Sequence, residues 1–583
     1  MQTSETKIKI IGMLFILFLC GAGIITKLYF LQIKNHQQFD KKALNQYKGR
    51  IYENTSRGNI FDRNYRQLAI NVSVKSVYAN PDKIQNREST IRTISSILSI
   101  SKKEVRKKLY KKAPFVYLKR KINPSEYKKL KSQHLPGVEF FTEYKRFYPK
   151  MELVAKTIGF AGIDNQGLSG IEYSFDEYLS EGGKWVRYQK DRYGRSVELV
   201  SEDPTSFPEG SDLVLTIDEV LQYHALKAVQ KKVIETGAAR GLSIVMRPNT
   251  GEILALAQYP TYNANSYLRH SFHKAKNWVI SDAFEPGSTF KPIMASAALE
   301  EKIAQPKDIF FGENGAIEIG GVVIHEANNK KYRWLTFTEI IVKSSNIGAI
   351  KIGLDLGKEK FYQYIKKFGF GEKTGVHLPG EITGIVRKPS KWTKVSIGSI
   401  SIGQEISTTP LQLITAYSAI ANDGYLMKPL IVKQVIHDGK VIKKFPTKIV
   451  RKVISSNTAK AIKKILAQAI QYGTGKKGAI EGYNAGGKTG TAQKIDPETK
   501  KYSSDKFVAS FVGFVPVENP ELAILVIIDE PQGIYWGGSV AAPVFREIGK
   551  KALRYLKAPS TQNRVYSMSA NKFVENKFAD EAI

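Results

Sequence analysis

The feature that most limits this chain is a run of 17 residues, Ile10 to Thr26, that carries no charge and is set between Lys9 and Lys27. As a helix it is about 26 Å long. That is slightly under the roughly 30 Å of a bilayer's hydrocarbon core, and flanking lysine stems can snorkel across the shortfall. A cleaved signal peptide has a shorter apolar core followed by a small-x-small site, but Gly21-Ala-Gly23 lies inside the run. A lipoprotein signal would use Cys20, yet bulky Leu19 precedes it. The run therefore predicts an uncleaved anchor over residues 10–30, with residues 1–9 as a short cytoplasmic tail. Lysines flank it on both sides and do not set its orientation.

Cys20 is the sole cysteine of the 583 residues, so the rest of the chain has no disulfide, no cysteine-based zinc site and no cysteine nucleophile. The eight histidines contain no His-Glu-x-x-His, and His270-x-x-His273 is the nearest approach to a ligand pair. No metal is expected. The net charge of +34 is spread along the chain, without zinc-finger or helix-turn-helix spacing. It fits a surface facing acidic lipid or an acidic wall better than one that reads nucleic acid.

Residues 31–215 are basic and mixed, and predict an α/β pedestal with two conspicuous blocks. One is Arg57-Gly-Asn-Ile-Phe-Asp-Arg63, read with Leu68-Ala-Ile-Asn71 as strand, turn, strand. The other runs from Arg146-Phe-Tyr-Pro149 to Glu172 and Tyr173. Residues 86–132 read as lysine-rich helical segments. No nucleophile, base or metal cluster emerges there. Residues 216–556 read as an α+β domain with one antiparallel sheet. Gly241–Met246 and Ile253–Gln258 flank a Pro-Asn-Thr-Gly turn, and Phe507–Gly513 and Leu522–Ile528 make a second pair near the end. Ala541–Leu556 reads as a closing helix, and 557–583 as a polar, disordered tail.

Chemistry enters at Glu285-Pro-Gly-Ser-Thr-Phe-Lys-Pro292. Ser288 is expected to open a helix, where free N–H groups and the dipole favour a developing anion. Lys291 follows one turn later. A hydroxyl needs a base to become a nucleophile, and a lysine serves if burial or a second cation lowers its pKa. Yet Ser-x-x-Lys begins at six other positions: Ser4, Ser99, Ser125, Ser271, Ser503 and Ser569. Two further motifs single out Ser288. Ser344-Ser-Asn346 lies between two helical stretches, and Lys488-Thr-Gly-Thr491 follows Ala485-Gly-Gly487, a glycine-rich strand that lets a substrate backbone approach. Each has a decoy. Ser455-Ser-Asn457 precedes a helix and reads as its cap, and Lys373-Thr-Gly375 lies in a loop.

Ser288-Thr-Phe-Lys291, Ser344-Ser-Asn346 and Lys488-Thr-Gly490, in that order, resemble the three active-site motifs of penicillin-binding proteins and serine β-lactamases. The resemblance covers most of the chain. Arg57–Arg63 is similar to the opening of the class B pedestal. Asp164–Glu172 is closer to the division-type than to the elongation-type branch, and Gly403-Gln404, Thr409–Gln412, Gly537-Gly538 and Ala541–Phe545 also match. Tyr65 and Arg247 depart from it, standing where glycine and aspartate are usual.

The resemblance implies a peptidoglycan D,D-transpeptidase acting in septal wall synthesis, with β-lactams as covalent inhibitors and no cofactor. It implies Ser288 as nucleophile, Lys291 as base, Ser344 as proton relay and Asn346 as holder of the acyl chain's amide. Lys488 with Thr489, Gly490 and Thr491 would bind the terminal carboxylate. The N–H groups of Ser288 and Thr491 would form an oxyanion hole, each donor worth about 10²–10³ in rate. Lacking a glycosyltransferase signature, the chain would depend on a polytopic glycosyltransferase and other division proteins, with its large domain on the outer side of the cytoplasmic membrane. Other readings are an elongation-type transpeptidase, a non-catalytic division scaffold, a β-lactam sensor and a β-lactamase. A sensor of the known type has several membrane helices, and a β-lactamase needs a water-activating group that no segment here matches.

Overall fold

The computed structural model describes residues 2–35, 48–53, 56–113, 115–180, 184–190, 196–199, 210–269, 275–496, 498–499 and 501–561. His270 and His273 and most of the expected tail lie outside these residues. The chain packs as two units. The smaller holds residues 1–56, 72–145 and 180–209, and the larger holds 57–71, 146–179 and 210–583. Both conspicuous blocks of the expected pedestal thus pack within the larger unit.

In the smaller unit the apolar run forms a helix, Gln2–Tyr29, continued by a wider turn over Phe30–Lys34. Ile8–Lys34 is long and apolar enough to cross a membrane, and none of its residues is buried against protein. The end of Gln67–Ala79 pairs with Val116–Ile122 and with Val138–Phe147, three strands of a seven-stranded sheet. Its apolar residues Val77, Leu118 and Ile122 meet Ile91, Ile94, Val105 and Leu130 from the helices Arg87–Leu98, Lys102–Leu109 and Pro124–Lys131. Lysine-rich 86–132 is therefore helical only in part. Val116-Tyr-Leu-Lys-Arg-Lys-Ile122 alternates as a strand, with its lysines masking the pattern.

The larger unit is built on a five-stranded antiparallel sheet, ordered Ile253–Tyr259, Arg240–Met246, Leu522–Asp529, Tyr502–Val515, Gly486–Ile495. The expected hairpin and the expected late strand pair are both in it. The middle strand is apolar from Leu522 to Ile528 because both of its faces are covered. Ala523, Leu525 and Ile527 face a core that includes the helices Lys291–Glu300, Pro410–Ala421 and Ser456–Gln471. Leu522, Ile524, Val526 and Ile528 face Glu219–Glu235 and Gly537–Tyr555. Each of the buried Val, Leu and Ile side chains contributes roughly 1.5–3 kcal/mol. The strand bearing Lys488 is left at the sheet's edge.

The two sequence blocks meet in one buried ion network. Glu172, fully buried, takes Arg57 Nε on one oxygen and Arg146 Nε on the other, both at 2.6 Å. Arg57 also donates to the Asn165 and Glu172 carbonyls at 2.9 and 2.7 Å, and Arg146 to the Gly58 carbonyl at 2.7 Å. Burial pushes the Glu172 carboxyl up, but Arg146 and Arg57 outweigh it and hold the group below the usual range. Nearby, Tyr65 adopts φ 62° in the turn after Arg63, the left-handed geometry that glycine meets without strain. Glu172→Gln takes the carboxylate from buried Arg146 and leaves buried Arg57 with half-exposed Asp176 alone. It is expected to cost about 3–5 kcal/mol, read as a lowered urea midpoint of unfolding; an unchanged midpoint would show that the network carries no stability.

Candidate active site

Ser288 lies in a short 3-10 turn, Gly287–Phe290, and the α-helix proper begins at Lys291. This corrects the expectation that Ser288 opens the α-helix. Gly287 at φ 55° sets the turn, and Pro292 takes one of the first two helical positions, where no N–H is needed. The turn is pinned on several sides. Gly287 N–H donates to Gly403 O at 3.0 Å, Thr289 hydroxyl to Pro286 O at 2.6 Å, and buried Tyr417 hydroxyl to Thr289 O at 2.7 Å. The edge strand passes so close that a Cβ at Gly490 would lie 2.8 Å from Thr289 Cγ2 and 3.0 Å from Pro286 O. Only glycine allows that approach.

Lys291 and Lys488 are both fully buried and converge on Ser344. Lys291 Nζ donates to Ser344 O at 2.7 Å and to Asn346 Oδ1 at 2.8 Å, and lies 3.4 Å from Ser344 Oγ. Lys488 Nζ is 2.8 Å from that same hydroxyl and 3.1 Å from Thr489 O. Burial pushes the Lys291 amine down to about 7, with Glu326 pulling the other way. Burial also pushes Lys488 well down, and the charge of Lys291 pushes it further. Desolvation is the main cause at both amines, and the repulsion between the two ammonium groups is a smaller effect that the pair shares. Near neutrality the pocket has room for few protons, so an amine there can accept one.

Ser344 sits at the end of the helix Phe337–Lys343 with φ 63°, a conformation that costs a non-glycine residue energy and clusters at functional sites. What holds it is a residue the sequence reading missed. Glu326, 4% exposed, accepts from Ser345 hydroxyl, Asn346 N–H (2.7 Å) and Ile347 N–H (3.2 Å). It thereby satisfies the first free donors of the helix Asn346–Leu356. Asn346 Nδ2 donates to His325 O at 3.0 Å, so both ends of this amide are engaged within the protein. No sequence periodicity links Glu326 to the serine motif. A second missed residue, Thr474, places its hydroxyl 2.7 Å from that of Thr489. Its setting, Gly473-Thr-Gly475, repeats the glycine-flanked hydroxyl of Lys488-Thr-Gly490 and was a usable signal. Thr491 Oγ1 accepts from Gly537 N–H at 3.1 Å, tying the edge strand to the closing helix.

The decoys fall elsewhere. Ser455 caps Ser456–Gln471 by accepting from Thr458 N–H. Thr374 and Gly375 donate their N–H groups to Glu381 in a loop. Among the described residues no three metal-ligating side chains gather.

An antiparallel sheet whose edge strand carries Lys-Thr-Gly beside Ser-x-x-Lys and Ser-x-Asn defines the class of penicillin-recognising serine proteins. Residues 241–550 match the penicillin-binding protein transpeptidase domain, and residues 52–215 match the penicillin-binding protein dimerisation domain. The chain belongs to the class B penicillin-binding proteins of the division type. It is 33% identical to stage V sporulation protein D of Bacillus subtilis, over 96% of this chain and 89% of that protein. It is 34% identical to peptidoglycan D,D-transpeptidase FtsI of Escherichia coli, over 86% and 84%. Among solved structures, penicillin-binding protein 3 of Mycobacterium tuberculosis in complex with aztreonam superposes with a TM-score of 0.68 at 27% identity, over 88% of this chain and 98% of that one.

Replacing Glu326 by Ala removes the acceptor that fixes the Ser344 turn. The variant is expected to acylate with penicillin about 10–100-fold more slowly, the cost of 1.4–2.7 kcal/mol in positioning, while Glu326→Asp keeps part of the rate. Stopped-flow acylation measures this, and an Ala variant as fast as wild type would show the turn to be held without it.

Proposed function

We propose that this protein is a membrane-anchored peptidoglycan D,D-transpeptidase that cross-links stem peptides during septal wall synthesis. The observation that carries the reading is the shared contact with Ser344 of two buried lysines, Lys488 and Lys291, the latter one turn after Ser288 in sequence. Lys291, whose neutral form is well populated near pH 7, takes the proton of the Ser288 hydroxyl as Oγ attacks the carbonyl of the penultimate D-alanine. The N–H groups of Ser288 and Thr491 stabilise the oxyanion. The peptide bond to the terminal D-alanine breaks, and the departing amine receives a proton through Ser344 and the two lysines. An amine of a second stem then attacks the acyl-enzyme, giving the cross-link and restoring Ser288. Lys488, Thr489, Gly490 and Thr491 take the terminal carboxylate, with Thr474 adding a hydroxyl beside Thr489. Asn346 must exchange its bond to Lys291 for one to the acyl chain's amide.

Residues 10–30 anchor the protein, and residues 31–215 and 216–556 serve as pedestal and transpeptidase domain on the outer side of the cytoplasmic membrane. A polytopic glycosyltransferase of the division machinery supplies the glycan. β-Lactams acylate Ser288 and leave slowly. The septal assignment is supported by the likeness to the FtsI transpeptidases and by the Asp164–Glu172 block.

The test uses the purified full-length protein in detergent with a pentapeptide stem and an amine acceptor. One D-alanine is released per cross-link formed, and Ser288→Ala brings both products and fluorescent-penicillin labelling to background. Labelling that persists in the variant, or rapid turnover of penicillin by the wild type, would overturn the reading.

A further inference from the structure

In the smaller unit, the sheet of Gln67–Ala79, Val116–Ile122 and Val138–Phe147 buries one face under helices. From Phe115 to Leu118 the residues alternate exposed, buried, exposed, buried. The opposite face gathers four aromatic rings. Tyr78 and Phe115 stack with centroids 4.4 Å apart, Phe115 and Tyr117 meet at 89° and 4.8 Å, and Phe141 lies 5.7–6.2 Å from the other three. Phe115 and Tyr117 remain 43% and 42% exposed. A core cluster would hide these rings; grouped exposed aromatics on one face mark a binding surface.

The surroundings narrow the ligand. Two of the cations beside the rings carry counter-ions, Arg120 with Glu143 at 2.5 Å and Lys83 with Glu139 at 3.7 Å. Lys75 donates to Thr142 hydroxyl at 2.7 Å. With Arg120 and Lys83 already paired and Lys75 held on a hydroxyl, the rim offers little to an acidic peptide or a phosphate, which are gripped by several cations together. A dry apolar partner would have to bury these ion pairs and tyrosine hydroxyls. A sugar ring fits both parts. Its axial C–H face packs on the negative face of an aromatic ring, and its hydroxyls exchange hydrogen bonds with polar groups at the rim.

We propose that this aromatic face binds an amino-sugar glycan strand, holding the polymer whose stems the larger unit cross-links. The proposal rests on the transpeptidase reading for the identity of the polymer. It gives the pedestal a ligand of its own, separate from the stem peptide.

The experiment takes full-length protein in detergent micelles and glycan strands stripped of stems by an amidase, with affinity read by calorimetry. Wild type is expected to bind, and Phe115→Ala with Tyr117→Ala to bind at least about tenfold more weakly. Tyr117→Phe, which keeps the ring, is expected to bind as wild type does. Labelling of Ser288 by fluorescent penicillin is expected to be the same in all, which separates failure here from failure of the transpeptidase reading. As a check needing no variant, saturating the protein's aromatic protons by NMR should transfer magnetisation to the sugar C–H protons. No binding of stripped strands by wild type, undiminished binding by the alanine variant, or absence of that transfer would overturn the proposal.

Discussion

Two lysine side chains taken wholly out of water, both reaching one serine hydroxyl, set the terms for the larger unit. An ammonium group without a carboxylate partner is costly in such a place, so burial favours the neutral amine. Glu326 moderates this for Lys291, but its oxygens are already committed to Ser345 and to the N–H groups of Asn346 and Ile347. The carboxylate therefore shapes the serine turn while opposing, without cancelling, the fall in the lysine's basicity. One group thus links the geometry of Ser344 to the protonation of Lys291.

The sheet supplies the rigidity this arrangement needs. Leu522–Asp529 is fully buried between two helical layers, and the edge strand is registered against Tyr502–Val515 from Gly486 to Gln493 without a break. Lys488 is fixed by that register, Lys291 by the first turn of a buried helix, and Ser344 by a helix end held in a left-handed conformation. Gly403 completes the fit: a Cβ there would lie 2.0 Å from Gly287 O, inside the turn that carries Ser288. Catalytic groups placed on such elements keep their positions better than groups on free loops.

The sequence disclosed these parts unequally. The hairpin 240–259 was legible because two β-rich runs flank a Pro-Asn-Thr-Gly turn. The strand 486–495 was not a strong strand by composition, being rich in glycine and lysine; pairing with Tyr502–Val515 makes it one. Ser288, Lys291, Ser344 and Lys488 could be named because three motifs occur in one order, and the structure brings Lys291, Ser344 and Lys488 into contact. Glu326 could not be named, since its role exists only after the chain folds a strand end onto a helix start. The Arg57–Glu172–Arg146 network was likewise hidden. Its members were visible as two blocks, but nothing local says that Arg57 pairs with a carboxylate 115 positions away. The 3-10 turn at Ser288 escaped as well, because Pro292 and Gly287 act together on a geometry that helical spacing alone does not report.

Burial brings the Lys291 amine into a range where its neutral form is well populated near physiological pH. This shift is tested most directly by a heteronuclear NMR titration of full-length protein carrying ¹³C at lysine Cε, with the Lys291 signal assigned by its loss in Lys291→Arg. A midpoint of about 7 is predicted. A midpoint at the ordinary lysine value of about 10.4 would contradict the account, because Lys291 would then be a fixed cation unable to take the proton of Ser288.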